Sequence, residues 1–135
     1  MSARFVLTMV MAASLCGCAK TVLTSPTPTT AAVDPNAFTN QVPPGGSASR
    51  LVTVTSSGRL AVTLTQTTPP GLALGVGIGI PRSNNQCAVG ASVTTTAGST
   101  AQVASAVDGG NYCVKVFDPG TLTAPATFTV SISRP

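Results

Sequence analysis

Alternation of apolar and polar residues with a period of two is the pattern that most limits how this chain can fold. It recurs in three clear segments, at Val52 and Val54, at Leu60, Val62 and Leu64, and at Phe128, Val130 and Ile132. Because successive side chains of a strand point to opposite faces of a sheet, each segment predicts a strand with one buried face. Val and Thr, which favour strands, dominate, and no segment has apolar residues at helical spacing. We therefore predict an all-β domain.

Clusters of Gly, Pro, Asn, Asp and Ser divide the chain into further short segments of the same kind. The predicted strands cover residues 52–55, 60–65, 72–80, 91–95, 101–107, 112–117 and 127–133. Turns are predicted at residues 56–58, 69–71, 108–111 and 118–120. About seven to eight short strands at this spacing indicate an antiparallel β-sandwich or a small barrel, which we assign to residues 48–135.

The N-terminus carries the features of an export signal. Arg4 precedes an apolar run over residues 5–15. That run is much shorter than the roughly 20 residues needed to span a bilayer as a helix. It matches the apolar core of a signal peptide instead, so we predict that the protein is exported.

The four residues Leu15-Cys16-Gly17-Cys18 end this run and resemble the bacterial lipobox, in which a small residue precedes the modified cysteine. The resemblance implies that residues 1–17 are removed and that Cys18 begins a mature lipoprotein. Acyl chains such as palmitate on Cys18 would then anchor the protein to an envelope membrane. Ala19 resembles the pattern that sorts lipoproteins to the outer membrane where a host has two. The alternative is an ordinary secretory signal cut near Ala19.

Residues 18–47 are predicted to form a disordered linker between the lipidated Cys18 and the sandwich. The segment is rich in Pro and Thr and shows neither strand nor helix periodicity. Pro-rich chains stay extended and semi-rigid, so the linker would hold the domain away from the membrane. Phe38 stands out as a large aromatic side chain here. It either begins an edge strand of the domain or covers a gap in its core.

Cys87 and Cys113 remain as one pair once Cys16 leaves with the signal and Cys18 carries lipid. In an exported protein such a pair predicts a structural disulfide. A metal site is not expected, because the chain has no His and no Glu to complete a tetrahedral ligand set.

The alternation of side chains between the two faces of strand 112–117 predicts where this bridge lies. Cys113 falls on the face opposite Tyr112 and beside Lys115, whereas Tyr112 shares the apolar face. We therefore expect Tyr112 in the core and the disulfide on an outer surface, where it pins the loop at residues 82–86 across the sheet.

The segment from Ser57 to Ser133 resembles the bacterial pre-peptidase C-terminal domain. The matching pieces are strands 58–65 and 72–80, the Asp-Gly-Gly-Asn-Tyr-Cys-Val-Lys-Val-Phe segment at 108–117 and the closing Phe-x-Val-x-Ile strand. The resemblance implies a jelly-roll-like β-sandwich. Because that domain often accompanies secreted peptidases, it also implies an accessory or inhibitory role on a peptidase.

The inventory of reactive side chains argues against an enzyme. The chain has no His, no Glu and only Asp34, Asp108 and Asp118 as acids, the last two in predicted turns. Its seven basic residues are scattered, without the basic stripe and stacking aromatics of a nucleic-acid binder. We predict no catalytic residues, no cofactor, no metal and no nucleic-acid partner.

Glycines at every second position of strand 72–80 are the least ordinary feature of the predicted domain. Gly75, Gly77 and Gly79 share one face, while Leu, Val and Ile share the other. A row of Gly favours a close approach of other backbone or side chains. The alternative is an exposed interaction strip where a partner strand or peptide pairs.

Together these patterns predict a lipid-anchored envelope protein with a non-enzymatic binding or structural β-sandwich. Its partners would be the membrane, through Cys18, and an envelope or extracellular protein. Two other roles remain open, a peptidase accessory and a self-assembling surface protein, the latter suggested by the low charge and the Gly/Ile strand.

Overall fold

The computed structural model describes residues 36–135. They form eight strands: β1 Ala37–Val42, β2 Ser47–Val54, β3 Gly58–Thr68, β4 Leu74–Pro81, β5 Cys87–Thr95, β6 Val103–Val107, β7 Gly110–Phe117 and β8 Ala126–Ser133. One 3-10 turn, Ser83–Asn85, separates β4 from β5. Within the described range, no helix has the length and apolar character required to cross a membrane.

The strands form two four-stranded antiparallel sheets. The first sheet has the order β1-β8-β3-β6 and the second the order β2-β7-β4-β5. The first strand therefore pairs with the last, and the second pairs with the seventh. This nesting is the strand order of a jelly roll, so the predicted all-β, jelly-roll-like sandwich is confirmed.

The core lies between the two sheets and is built from the alternating apolar positions. Every second side chain is buried over residues 60–64 of β3 and throughout β8, and so are Val52 and Val54 in β2 and Val114 and Val116 in β7. The largest fully buried residues are Phe128, Leu60, Leu64 and Leu74, followed by six valines. Burial of this apolar surface is the main driving force for folding.

Strand β1 corrects the predicted domain boundary. It lies inside the segment 18–47 that we predicted as linker, and it pairs with β8 from Ala37 opposite Ser131 to Val42 opposite Ala126. Phe38 and Val42 are buried, and the Phe38 ring packs edge-to-face on Phe128 at a centroid distance of 5.2 Å. Of the two roles foreseen for Phe38, the edge strand is confirmed.

Strand β3 is longer than predicted, and its edge next to β6 is paired with that strand over only part of its length. Its first half pairs with β6 up to Val62, and its register with β8 shifts between Leu64 and Gln66. Beyond β6, the side chain of Gln102 takes over this edge. Its Oε1 accepts a hydrogen bond from Leu64 N–H at 2.7 Å, and its Nε2 donates to the Leu64 carbonyl at 3.3 Å.

Strand β4 is shorter than the predicted 72–80 segment and its apolar face is not continuous. Gly71 lies in the preceding turn with a positive φ of 80°, and Leu72 precedes the strand. Leu74, Val76 and Ile78 are buried, but Ile80 is 55% exposed. The pairing with β5 shifts register just before this end of the strand, so Ile80 lies beyond the core.

Candidate functional site on the outer face of the second sheet

The outer face of the second sheet carries most of the residues that the sequence singles out. Residues that lie opposite each other in a ladder share a face, so the register defines this surface. Gly79 lies opposite Cys113, Gly77 opposite Lys115 and Gly75 opposite Phe117. On the other side of β7, Ser49 lies opposite Lys115. All of these positions point away from the core.

The predicted disulfide is confirmed and lies on this face. Cys87 and Cys113 are bonded, with their Cα atoms 5.8 Å apart. They belong to β5 and β7, which are separated by β4, and two strand spacings amount to about 9.5 Å. The start of β5 therefore leans over the outer face of β4 toward β7. The bridge lies on the outer side of the sheet but is partly covered, because Cys113 is only 1% exposed.

The loop between β4 and β5 is held by this bridge, as predicted. Arg82 N–H donates to the Gln86 carbonyl at 2.8 Å and closes the loop. Asn84 and Asn85 both have left-handed backbone conformations, with φ of 67° and 57°. Asn tolerates this region better than other residues with a Cβ, which explains two consecutive asparagines here.

The glycine strip of β4 is covered, which overturns the exposed interaction strip. Gly75, Gly77 and Gly79 are all buried. Moreover, β4 lies between β7 and β5, so neither of its edges is open to a partner strand. The close-approach interpretation is the one that the structure supports.

Each glycine is covered by a different group. A Cβ at Gly75 would lie within 3 Å of the Phe117 ring, and one at Gly77 within 3 Å of the Val89 side chain. At Gly79 the obstacle is backbone, because the Ala88 carbonyl and the Val89 Cα lie within 3 Å of the Cβ position. The leaning start of β5 therefore needs Gly at position 79.

Between the tethered loop and strands β2 and β7 lies an open cleft, which we call the disulfide cleft. Its volume is about 410 Å³, within the range of small-molecule sites. Its lining is polar apart from the bridge itself and consists of Ser47, Ser49, Asn85, Gln86, Cys87 and Lys115.

Lys115 supplies the charge of the disulfide cleft. Its side chain is half-buried, while both serines and both amides of the cleft are exposed. Among residues 36–135 no group forms a hydrogen bond or ion pair with its ammonium. The opposing residue on β4 is Gly77. Ser49 is its direct neighbour on β2.

Asp108 and Asp118 lie in turns at opposite ends of β7, as the sequence predicted. Tyr112 packs its ring against the core, and its hydroxyl reaches the first of these turns. There the hydroxyl accepts a hydrogen bond from Asp108 N–H and donates to the Asp108 carbonyl, both at 3.1 Å. The predicted core position of Tyr112 is therefore correct for the ring but not for the hydroxyl.

Asp118 joins two loops at the end of the sandwich. One carboxylate oxygen accepts a hydrogen bond from Gly45 N–H at 2.8 Å. The other accepts from Gly120, Thr121 and Leu122, at 2.8, 2.9 and 3.1 Å. The Gly45 hydrogen bond, with the other three, holds the pKa of Asp118 below its ordinary value of 3.8, although partial burial opposes it.

The predicted lipidation residue, Cys18, lies outside the described residues. Within residues 36–135 there is no group of three or more Cys, Asp, Glu or His that could hold a metal ion.

Comparisons with known proteins add little to this description. No family model matches the chain, and no curated protein matches it. A crystal structure of a protein from Sulfurospirillum deleyianum is similar over 75% of this chain and 99% of its own length, with 9% sequence identity and a TM-score of 0.39. The resemblance to the pre-peptidase C-terminal domain stays a prediction.

The sequence placed Lys115 beside Cys113 and predicted that the bridge holds the 82–86 loop, but it did not predict the disulfide cleft. Ser47 falls in the predicted linker and Ser49 lies before the first predicted strand, while Asn85 and Gln86 are predicted only as part of the loop that the disulfide holds. The pair Asn84-Asn85 was the available signal, because two adjacent asparagines before a cysteine favour a tight left-handed turn.

Proposed function

We propose that this protein is an exported, lipid-anchored envelope protein whose β-sandwich acts as a non-enzymatic binding module. The Cys87–Cys113 disulfide is the observation that carries the export part of the proposal. Such bonds form and persist in oxidising compartments and are rare in the cytosol. The apolar N-terminal run and the Leu-Cys-Gly-Cys segment supply the signal and the anchor.

The binding role is supported by what the outer face of the second sheet offers. The disulfide cleft presents amides, hydroxyls and one ammonium, which are groups that bind a polar ligand rather than transform it. No imidazole exists in the chain to move protons, and the two described carboxylates lie at opposite ends of β7. A binding module therefore fits these residues better than a catalyst.

Metabolic labelling with an alkyne analogue of palmitate tests the anchor. Expressed in a bacterium, the full chain is expected to incorporate the label and to fractionate with membranes. Cys18→Ser should abolish both. Cys16→Ser is the matched control and should leave both unchanged, because that residue departs with the signal. Undiminished labelling of Cys18→Ser would show that the lipobox assignment is wrong.

A further inference from the structure

We propose that the disulfide cleft binds a small, hydroxylated anion, with its carboxylate or phosphate group on Lys115. This inference rests on the proposed binding function and gives it a ligand class. It starts from Lys115, whose side chain is half-buried and whose ammonium has no partner among residues 36–135. A cation in a cleft, with protein on several sides, attracts an anion more strongly than a cation surrounded by bulk water.

The surroundings of Lys115 favour the charged group of such a ligand. No carboxylate lines the cleft. Asp118, the acid nearest to Lys115 in sequence, is occupied by four backbone amides. An incoming anion therefore meets no competing negative charge within the cleft. The lysine ammonium acts as a point charge with three donors, which accommodates a carboxylate or a phosphate without strict geometry.

The remaining lining favours hydroxyls around that anionic group. Ser47 and Ser49 can both donate and accept hydrogen bonds, and so can the amides of Asn85 and Gln86. A sugar ring presents hydroxyls that need partners of both kinds. Most small-molecule sites are mainly apolar, and the polar lining here selects a polar ligand instead.

The disulfide cleft is also built to keep its shape. The Cys87–Cys113 bond and the hydrogen bond from Arg82 N–H to the Gln86 carbonyl close the loop on both sides. The left-handed backbone at Asn85 positions its amide at the cleft. Left-handed conformations away from Gly are costly and are often retained where a side chain must be placed for function. Such preorganisation lowers the entropic cost of binding.

Titration of the full chain in neutral detergent micelles tests the inference, with glucose 6-phosphate, glucuronate and glucose as probes. Isothermal calorimetry should show binding of the two anionic sugars and none of neutral glucose. The stronger of the two identifies phosphate or carboxylate as the preferred group. Absence of binding by both anions, or equal binding of glucose, would overturn the proposal.

Variants then assign the binding to Lys115. Lys115→Gln is expected to weaken anion binding by about tenfold or more, the value of one charge-assisted hydrogen bond. Lys115→Arg should retain it. Arg59→Gln is the matched control, because it removes one positive charge from the first sheet, and it should leave the dissociation constant unchanged.

Asn85→Asp provides a second variant that keeps the left-handed turn, since Asp tolerates that backbone as Asn does. The new carboxylate faces the anion, so binding should be lost while the far-ultraviolet circular dichroism is kept. Unchanged binding by both Lys115→Gln and Asn85→Asp would place the ligand elsewhere and refute the site. The binding measurements and the palmitate labelling are independent. Failure of anion binding would leave the anchor proposal unaffected, and failure of labelling would leave the binding proposal unaffected.

Discussion

Gly79 and Gly90 lie close together on neighbouring strands but have opposite surroundings. A Cβ at Gly79 would lie within 3 Å of the Ala88 backbone, whereas one at Gly90 meets nothing within 4 Å. Backbone cannot move aside as a flexible side chain can. The requirement for Gly at one position and not at the other therefore depends on tertiary contacts.

Gly79→Ala is expected to destabilise the domain by about 1–3 kcal/mol, the typical cost of overpacking. Gly90→Ala is the matched control and should change the free energy of unfolding by less than about 0.5 kcal/mol. Urea denaturation followed by circular dichroism measures both. Equal midpoints for the two variants would contradict the close approach of β5 over β4.

Asp118 predicts a dependence of stability on pH. Because its pKa is lowered in the folded state, its contribution is complete above the unfolded value, near 3.8. That contribution is lost as the pH falls from there through the lowered folded pKa. Asp118→Asn, which removes the charge, should lower the melting temperature at pH 7 and flatten its decline below about pH 4.

Asp108→Asn is the control for this effect, since the Asp108 carboxylate accepts none of the loop hydrogen bonds. Melting curves of the three proteins between pH 2.5 and 7, recorded in steps of about half a unit, make the comparison. An Asp118→Asn variant as stable as the wild type at pH 7 would show that the four amide bonds do not stabilise the fold.

At the scale of the element, strand β3 shows how an open edge is closed without another strand. Beyond β6, the carboxamide of Gln102 bonds both backbone groups of Leu64, and Gly98 N–H donates to the same carbonyl at 2.8 Å. Paired edges protect a sheet from adding a strand of another molecule. The Gln102 side chain, together with Gly98 N–H, therefore takes the place of the backbone hydrogen bonds that a further strand would make with Leu64.

Gln102→Ala should leave Leu64 N–H without a hydrogen-bond partner and lower the free energy of unfolding by about 1–3 kcal/mol. Amide hydrogen exchange at Leu64 should quicken accordingly, while exchange in β8 should follow global stability. Gln66→Ala, at an exposed position of the same strand, serves as control and should leave the Leu64 exchange rate unchanged. Unaltered protection of the Leu64 amide in Gln102→Ala would show that the Gln102 side chain does not protect this edge of β3.

The strands differ in how far local sequence predicted them. Strands β3, β7 and β8 carry apolar residues at every second position, and the buried face follows from that alternation alone. Strand β1 has only Phe38 and Val42 as large apolar residues, separated by polar ones. Its strand conformation depends on pairing with β8, some 90 residues away in sequence, which no local pattern records.

At the scale of the whole molecule, the Cys87–Cys113 bridge restrains the unfolded chain. The two cysteines are 26 residues apart. Closing a loop of this length contributes roughly 3.5 kcal/mol in the chain-entropy model. For a domain of this size, that is a large part of the usual 5–15 kcal/mol of total stability.

The Cys87→Ser and Cys113→Ser double variant is expected to lose about 3 kcal/mol of unfolding free energy relative to the oxidised protein. Oxidised wild type should migrate faster than reduced wild type on a denaturing gel, and mass spectrometry should find no free thiol at these residues. The reduced wild type is the control and should match the double variant in stability. Equal stability of the oxidised and reduced protein would contradict this account.

The sequence by itself determined the all-β class, the buried face of most strands, the partnership of Cys87 with Cys113 and the outward position of that bridge. Alternation along a strand is a local property, and Cys87 and Cys113 are the two cysteines within the predicted domain 48–135, so they form one pair. Tertiary structure alone decided that β1 belongs to the first sheet, that Gly75, Gly77 and Gly79 are covered, and that Ile80 lies beyond the core. It also created the disulfide cleft, because the cleft depends on how far the start of β5 leans across β4. Strand neighbours and the space above a Cα are set by residues distant in sequence, so no local pattern can specify them.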